Sequence, residues 1–352
     1  MQTGARRGDG RERRHLIRNP PAKVIPHVRS FGSKLGFVLL TVMFSVSLGT
    51  MSPAGAGAKS SPPPDADLGV QLSRGPGSDT PGAQGRFARK HGFPTSRTAG
   101  VPRGWTPART VNGDVTVDRA GAVLHDVRIL GDLVIAAPNV TVRRVEVVGG
   151  VVENWRGSEC YSGLKVSRTT IRKAPGQVTS GDFPALSSGG YTARRVAIIG
   201  LSEGFRVGGK DECGPVKIVN SFAKVVSPDE CGDWHGDALQ GYDGGQLTLR
   251  NSVLKLIERD GCGGTAPFFY PADQGNSSVS IDGLLVSGGG YSFRLGMPGT
   301  VKNLHIEQGE FYYGPIDVRC SALSSWDADI AAVKGGQPVA VKNQRCNSDG
   351  GY

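Results

Sequence analysis

Four short segments of the sequence carry the side chains best suited to bind and cleave a ligand. They span 203–206, 237–240, 267–270 and 291–294, and they can be aligned on their third residues. If these third residues enter a core of stacked strands, their flanking residues face outward, about 4.8 Å from the equivalents in the next strand. One outward row then contains Glu203, Asp237, Pro267 and Tyr291. The second row contains Arg206, Gln240, Tyr270 and Arg294.

The first row places the carboxyl groups of Glu203 and Asp237 on adjacent strands. Two carboxylates so close together either separate their pKa values or bind a hard cation such as Ca²⁺. No cofactor is certain from this pattern, calcium is a candidate, and no metal-ligand set is assigned. His235, two residues before Asp237, could exchange a proton near neutral pH.

The second row suits an acidic polysaccharide. Arg206 and Arg294 could each fork onto the carboxylate of a uronic acid. Aromatic side chains of both rows offer faces and hydroxyl groups to sugar rings. The predicted substrate-binding residues are Arg206, Gln240, Tyr291 and Arg294. The predicted catalytic residues are His235, Asp237, Glu203 and Tyr270.

Two cleavage reactions are open to these residues. In a lyase, arginine or Ca²⁺ neutralises the substrate carboxylate while His235 or Tyr270 removes the adjacent C5 proton. In a hydrolase, Asp237 acts with Glu203 or Asp260 as acid and base. Elimination is favoured over hydrolysis if the site is catalytic. The rival interpretation is a non-catalytic carbohydrate-binding or cell-surface module that depends mainly on Arg206, Arg294 and the tyrosines. In a purely structural interpretation, the same side chains pair with each other or with turn amides.

Strands must position these residues, because runs that alternate apolar and polar side chains recur from Val111 onward. The runs span 123–130, 140–148, 164–171, 192–199, 216–226, 247–257, 279–286 and 301–306. Equivalent runs begin at intervals of 22 to 32 residues, counted from position 140. No stretch has helical periodicity long enough to supply crossover helices.

A repeat of this length predicts a solenoid rather than a β-sandwich, in which turn signals come every 8 to 12 residues. Asn220 and Asn251 occupy the same place in equivalent runs, just after the short strand that begins each run, where an asparagine can turn the chain and stack on its counterpart. The predicted fold is all-β, a single-stranded right-handed parallel β-helix of roughly 8 to 10 coils.

Two phrases carry a family resemblance: Gly-Asp-Leu-Val-Ile-Ala-Ala-Pro-Asn-Val-Thr-Val-Arg at 131–143, and His-Gly-Asp-Ala-Leu-Gln at 235–240. With them, residues 100–352 resemble the secreted right-handed parallel β-helix repeat proteins of actinobacteria, within the pectin-lyase-like superfamily. The resemblance implies an extracellular protein that acts on, or binds, polysaccharide.

The net charge of +10 belongs to the N-terminal part of the chain. Residues 1–104 contain 16 Lys and Arg against 5 Asp and Glu, whereas residues 105–352 contain 25 against 26. A neutral domain argues against nucleic acid as a partner, because nucleic-acid binding needs basic residues on a folded surface. The expected partner is a polysaccharide or cell-wall polymer, and the expected oligomeric state is a monomer.

Three segments divide the chain. Residues 1–58 are predicted to form a secretory signal with a long basic start, an apolar stretch at 36–48 and small residues at 54–58. The apolar stretch is shorter than the roughly 20 residues of a membrane span, so no stable span is expected. Residues 59–104 are predicted to be a disordered linker rich in Pro, Gly and Arg. Residues 105–352 form the predicted β-domain of a secreted, extracellular protein.

Six cysteines follow the predicted signal. An even number in an exported chain indicates up to three disulfides, with 15 possible connectivities. Cys231 and Cys262 precede neighbouring predicted strands, which favours a bridge between them. Cys320 with Cys346 would fasten the C-terminal tail, which leaves Cys160 with Cys213.

Overall fold

In the part of the chain that the structure describes, regular structure consists almost entirely of parallel β-strands. The computed structural model describes residues 92–156, 159–181, 183–208, 213–347 and 349–351. No α-helix forms within these ranges, which agrees with the two-residue alternation of the sequence. The predicted secretory signal and residues 59–91 of the predicted linker lie outside the described residues.

The strands follow each other in the order β1 (Arg109–Asn112), β2 (Val115–Val117), β3 (Val123–Leu130), β4 (Leu133–Ile135), β5 (Thr141–Val148), β6 (Val152–Glu153), β7 (Trp155–Arg156), β8 (Glu159–Cys160), β9 (Leu164–Ser167), β10 (Thr170–Arg172), β11 (Pro184–Ser187), β12 (Tyr191–Arg194), β13 (Ala197–Ile199), β14 (Glu203–Gly208), β15 (Val216–Val219), β16 (Phe222–Val226), β17 (Asp237–Tyr242), β18 (Leu247–Ile257), β19 (Ala266–Tyr270), β20 (Val279–Ser287), β21 (Tyr291–Leu295), β22 (Gly299–Glu307), β23 (Gly314–Val318), β24 (Leu323–Lys334) and β25 (Gln337–Asn343). They form sheets of fourteen, nine and two strands. The β24–β25 and β7–β8 pairs are antiparallel.

Eight strands of the larger sheet close into a parallel ring in the order β5, β10, β13, β16, β18, β15, β12 and β9. The ring closes because β5 and β18 are long enough to pair with two shorter strands each. In β5, residues 141–143 pair with β9 and residues 146–148 pair with β10. In β18, residues 247–250 pair with β15 and residues 253–257 pair with β16.

This closed ring corrects the predicted fold. A parallel ring extended by further strands, beside a separate nine-stranded parallel sheet, is not a single-stranded right-handed β-helix of 8 to 10 coils. The all-β part of the prediction is right, whereas the solenoid is wrong. The prediction failed because the repeat length shows only how often a strand recurs along the chain. It does not show which strands are hydrogen-bonded to each other.

Apolar alternation buries one face of each strand. In the larger sheet a single buried row runs across seven paired strands: Val142, Val166, Ala193, Ile218, Leu249, Ile281 and Val301. In the nine-stranded sheet the equivalent row contains Leu186, Phe205, Leu239, Phe268, Phe293 and Ile316. The rings of Phe268 and Phe293 stack with their centroids 4.5 Å apart. Both sheets therefore contribute to the main core.

The two predicted asparagines do turn the chain and contact each other. Asn220 and Asn251 have positive φ angles of 52° and 42°, a conformation that asparagine tolerates better than most residues. The Asn251 amide donates to the Asn220 side-chain oxygen at 2.8 Å. This contact stacks neighbouring turns of the larger sheet.

The packed part of the chain begins earlier than predicted. Phe93 and Ala99 fall inside the predicted linker but are only 4% and 3% exposed. The Gln337 side chain accepts from the Phe93 amide and donates to the Phe93 carbonyl, so it fixes this segment to β25. The composition of residues 59–104 did not predict this contact. A single aromatic residue in a Pro- and Gly-rich segment gives no periodic pattern that would indicate burial.

Three disulfides link Cys160 to Cys213, Cys231 to Cys262 and Cys320 to Cys346, the pairing predicted from the cysteine order. Their Cα atoms are 5.3 to 5.7 Å apart, within the usual range. Three such bridges are compatible with an extracellular protein. In the part of the chain that the structure describes, no helix is both long and apolar enough to cross a bilayer.

Candidate functional site

One outward row of side chains crosses the nine-stranded sheet and carries most of its chemistry. Successive strands place in register Glu153, Ser187, Arg206, Gln240, Phe269, Arg294 and Asp317. Neighbouring parallel strands lie about 4.8 Å apart. The row, named here the cleft row, therefore presents alternating charged, polar and aromatic groups along a line perpendicular to the strands.

A cleft of about 670 Å³ opens over the middle of the cleft row. Five of its lining residues were predicted from the sequence: Glu203, Arg206, His235, Gln240 and Arg294. Four others were missed: Tyr242, Thr265, Phe269 and Gln274. Strand alternation could have identified Tyr242, because it lies two residues after Gln240 on the same face. We call this space the central cleft.

The alignment of the third segment was wrong by one residue. Phe268, not Phe269, pairs with Leu239 and Phe293 in the buried row, so Phe269 takes the outward position predicted for Tyr270. Tyr270 is fully buried, and its hydroxyl donates to the Gly245 carbonyl at 2.6 Å. It does not line the central cleft, and the predicted role of Tyr270 as a base is not supported. The sequence could not distinguish the two, because Phe268 and Phe269 are adjacent and either phenylalanine could occupy the core position.

The predicted first row also needs correction, because alternate residues of a strand share a face. The first residue of each segment therefore lies on the same side as the buried third residue. Asp237 is only 1% exposed, and it does not line the cleft. Glu203, at the start of β14, is 3% exposed but still borders the cleft. Only one carboxylate of the predicted pair can therefore meet a ligand there.

The buried carboxyl group of Asp237 is held in an unusual environment. One oxygen accepts from the Ala266 amide at 3.0 Å, and the other has no hydrogen-bond partner among the described residues. The pKa of Asp237 lies well above its usual value, first because burial removes the carboxylate from water and second because Glu203 carries a negative charge nearby. Arg206 and Arg294 offset only part of this shift.

Both arginines of the cleft row are ion-paired and one-fifth exposed. Arg206 donates through Nη2 to Glu203 at 2.6 Å, and its buried Nε atom finds no acceptor in the described part of the chain. Arg294 donates through Nε to Asp317 at 2.9 Å. Its guanidinium lies 5.0 Å from the ring centre of Phe269. These contacts hold both guanidinium groups in place before any ligand arrives.

The aromatic side chain of Tyr291 lies next to this site, 5.8 Å from the Arg294 guanidinium, but it does not line the central cleft. His235 lies at the rim, with its side chain 65% exposed and its Nε2 atom 3.7 Å from Asp233. Asp260, the other predicted acid, does not line the central cleft.

The residues present do not suit calcium. Glu203 is already paired with Arg206, and the environment of Asp237 favours its protonated form, whereas Ca²⁺ requires several ionised or carbonyl oxygens. Among the described residues, no group of three or more His, Cys, Asp or Glu side chains is arranged to hold a metal.

No protein-family description, curated protein or solved structure matches this chain. The resemblance to pectin-lyase-like proteins therefore stays a prediction from the sequence.

Proposed function

We propose that the protein binds an acidic polysaccharide in the central cleft and cleaves it by elimination. The observation that carries this proposal is the position of Arg206 and Arg294 on one outward row, with His235 at the rim of the same cleft. The two arginines are three strand spacings apart, or about 14 Å. An extended polymer with carboxylates on its rings can contact both at once.

Each arginine keeps donors that its ion pair does not use. Arg294 donates through Nε to Asp317, so both of its Nη groups can donate to the two oxygens of a substrate carboxylate. Arg206 donates through Nη2 to Glu203. Because these ion pairs and the Phe269 ring restrict the two guanidinium groups, little side-chain entropy is lost when a ligand binds.

The elimination uses His235 as the base. Arg294 neutralises the substrate carboxylate, which makes the neighbouring C5 hydrogen more acidic. A ring nitrogen of His235 takes this proton, the electron pair forms a C4–C5 double bond, and the C4–O bond to the next sugar breaks. The departing oxygen takes a proton from water. The Asp233 carboxylate lies 3.7 Å from the Nε2 atom of His235.

We place this activity outside the cell. Three disulfides persist in oxidising compartments and are rare in the cytosol, so a polysaccharide or cell-wall polymer met after export is the proposed partner.

Binding without cleavage is the second candidate, favoured by the burial of Asp237 and the ion pair of Glu203. In that function the arginines and aromatic side chains recognise the polymer, and no side chain transfers a proton.

The test uses the oxidised full chain with pectins, alginates and glycosaminoglycans. Near-UV absorbance reports the unsaturated sugar made by elimination, and a reducing-end assay reports cleavage of any kind. We expect both signals to rise together on at least one polymer, with or without Ca²⁺. New reducing ends without absorbance would replace elimination by hydrolysis, and binding without either signal would support the second candidate.

A further inference from the structure

A second cleft adjoins the central cleft. Its volume is about 590 Å³, and it shares Arg206 and Tyr242 with the central cleft. It extends toward the end of the cleft row that is occupied by Glu153. A polymer lying along the cleft row would therefore pass from one cleft into the other without leaving the surface.

We propose that this second cleft is a subsite for an uncharged sugar ring of the polymer that the central cleft binds. The inference rests on the proposed function, because it assigns a ring of the same ligand. It also narrows the substrate class to polysaccharides in which neutral rings accompany the acidic ones.

Aromatic side chains provide the first reason. Trp155, Phe183 and Tyr242 all line the second cleft, and Phe183 and Tyr242 are 70% and 53% exposed. Large apolar side chains this exposed on one concave surface indicate a binding site rather than ordinary surface. Flat aromatic faces suit the apolar faces of sugar rings, and the tyrosine hydroxyl can bond to a sugar hydroxyl.

Charge provides the second reason. The carboxylate of Asp243 lines the second cleft, whereas Arg206, already paired with Glu203, stands at its boundary with the central cleft. An acidic ring beside Asp243 would meet a like charge, which disfavours its binding. Carboxylates instead accept hydrogen bonds from the hydroxyl groups of a neutral ring.

Backbone shape provides the third reason. Gly208 follows Arg206 by two residues on the same face and lines the second cleft. A Cβ atom at Gly208 would lie 2.5 Å from the Tyr242 carbonyl oxygen, so only glycine fits beside the neighbouring strand. The floor of the cleft therefore carries no side chain at this position, which leaves room for a ring beside the aromatic groups.

The experiment compares two acidic hexasaccharides by calorimetry. In hyaluronan, uronic acids alternate with uncharged N-acetylglucosamine, whereas oligogalacturonate is charged on every ring. Both are titrated into full-length His235→Ala protein, which prevents turnover, with and without the added substitution Phe183→Ala. Because Phe183 is 70% exposed, its replacement leaves the core unchanged. Val178→Ala, at a residue that is 67% exposed and lines neither cleft, is the matched control.

We expect Phe183→Ala to weaken hyaluronan binding about fivefold to tenfold, the scale of one aromatic contact, and to change oligogalacturonate binding less than twofold. Val178→Ala should change neither. An equal loss on both oligomers, or no loss on hyaluronan, would overturn the neutral subsite while leaving the proposed function intact. If neither hexasaccharide binds the His235→Ala protein, the neutral subsite fails, and the polymer panel decides whether the proposed function fails with it.

Discussion

Two outward rows of this protein have the same backbone arrangement but very different side chains. On the larger sheet, parallel strands align Thr141, Lys165, Thr192, Lys217, Thr248, Ser280, Thr300 and Ser325. The cleft row of the nine-stranded sheet instead carries arginine, carboxylate, amide and aromatic groups. Hydrogen-bonded parallel strands therefore support both rows, and only the cleft row combines forked donors with aromatic rings.

The difference also concerns how side chains are held. The row on the larger sheet consists of short hydroxyl side chains and two lysines, Lys165 and Lys217. On the cleft row, Arg294 is fixed by Asp317 and by the Phe269 ring, and Arg206 is fixed by Glu203. Such contacts orient long side chains toward a ligand at low entropic cost. We infer that both sheets build the core, whereas recognition of the proposed ligand belongs to the nine-stranded sheet alone.

The largest expected effect is on turnover. His235→Ala should lower the elimination rate by about 100-fold or more, because a positioned base contributes that much to proton transfer. The side chain is 65% exposed, so folding should not change. Lys217→Ala on the larger sheet is the control and should leave the rate unchanged. A variant at His235 with full activity would remove the base from the proposed mechanism.

Next comes a test of stability on the larger sheet. Asn251→Ala should lower the free energy of unfolding by about 2 kcal/mol, because it removes the bonds to Asn220 and to the Gly92 carbonyl at a positive φ. Urea unfolding measures this loss. Thr248→Ala, on the surface of the same strand, should cost less than about 0.5 kcal/mol. Polysaccharide affinity should be the same in both variants, and a loss of affinity in Asn251→Ala would end the proposed division of roles.

A smaller effect, on ligand affinity, is expected when Arg294 loses its paired hydrogen-bond donors but keeps its positive charge. Arg294→Lys should weaken binding of an acidic oligosaccharide about tenfold, since lysine cannot form the paired contact with a carboxylate. Arg128→Lys is a matched control, because Arg128 also uses Nε to contact a carboxylate, that of Glu146 on the larger sheet. Equal affinity of the two variants would contradict the assignment of Arg294.

The last effect is on the pH dependence of stability. Because folding raises the pKa of Asp237, this residue favours the folded state most below its unfolded pKa of about 3.9, and that contribution is lost as pH rises through the folded value. Asp237→Asn keeps an oxygen for the Ala266 amide but cannot ionise. The difference in unfolding free energy between the variant and the parent should therefore shift in favour of the variant as pH rises from 4 to 8. A difference that is constant with pH would contradict the raised pKa.

Local pattern predicted much of the larger sheet. The runs at 123–130 and 247–257 have the same bounds as β3 and β18, because alternation and β-branched side chains identify strands without reference to their neighbours. Asn220 and Asn251 were found for a similar reason, since a turn asparagine is a local requirement. The site was predicted less completely. Arg206, Gln240 and Arg294 were placed correctly on the cleft row, whereas Tyr270 and Asp237 were not.

The sequence by itself determined where many of the strands lie, because strand position depends on side-chain period. It also favoured the Cys231–Cys262 bridge, because these two cysteines precede neighbouring strands. Only the tertiary structure decided that β5 and β18 close a ring, that Phe268 rather than Phe269 enters the core, and that the carboxyl of Asp237 is buried. These outcomes depend on the choice of hydrogen-bonding edge and on packing between distant segments. Alternation leaves both undetermined, since a shift of one residue preserves the pattern and moves every side chain to the opposite face.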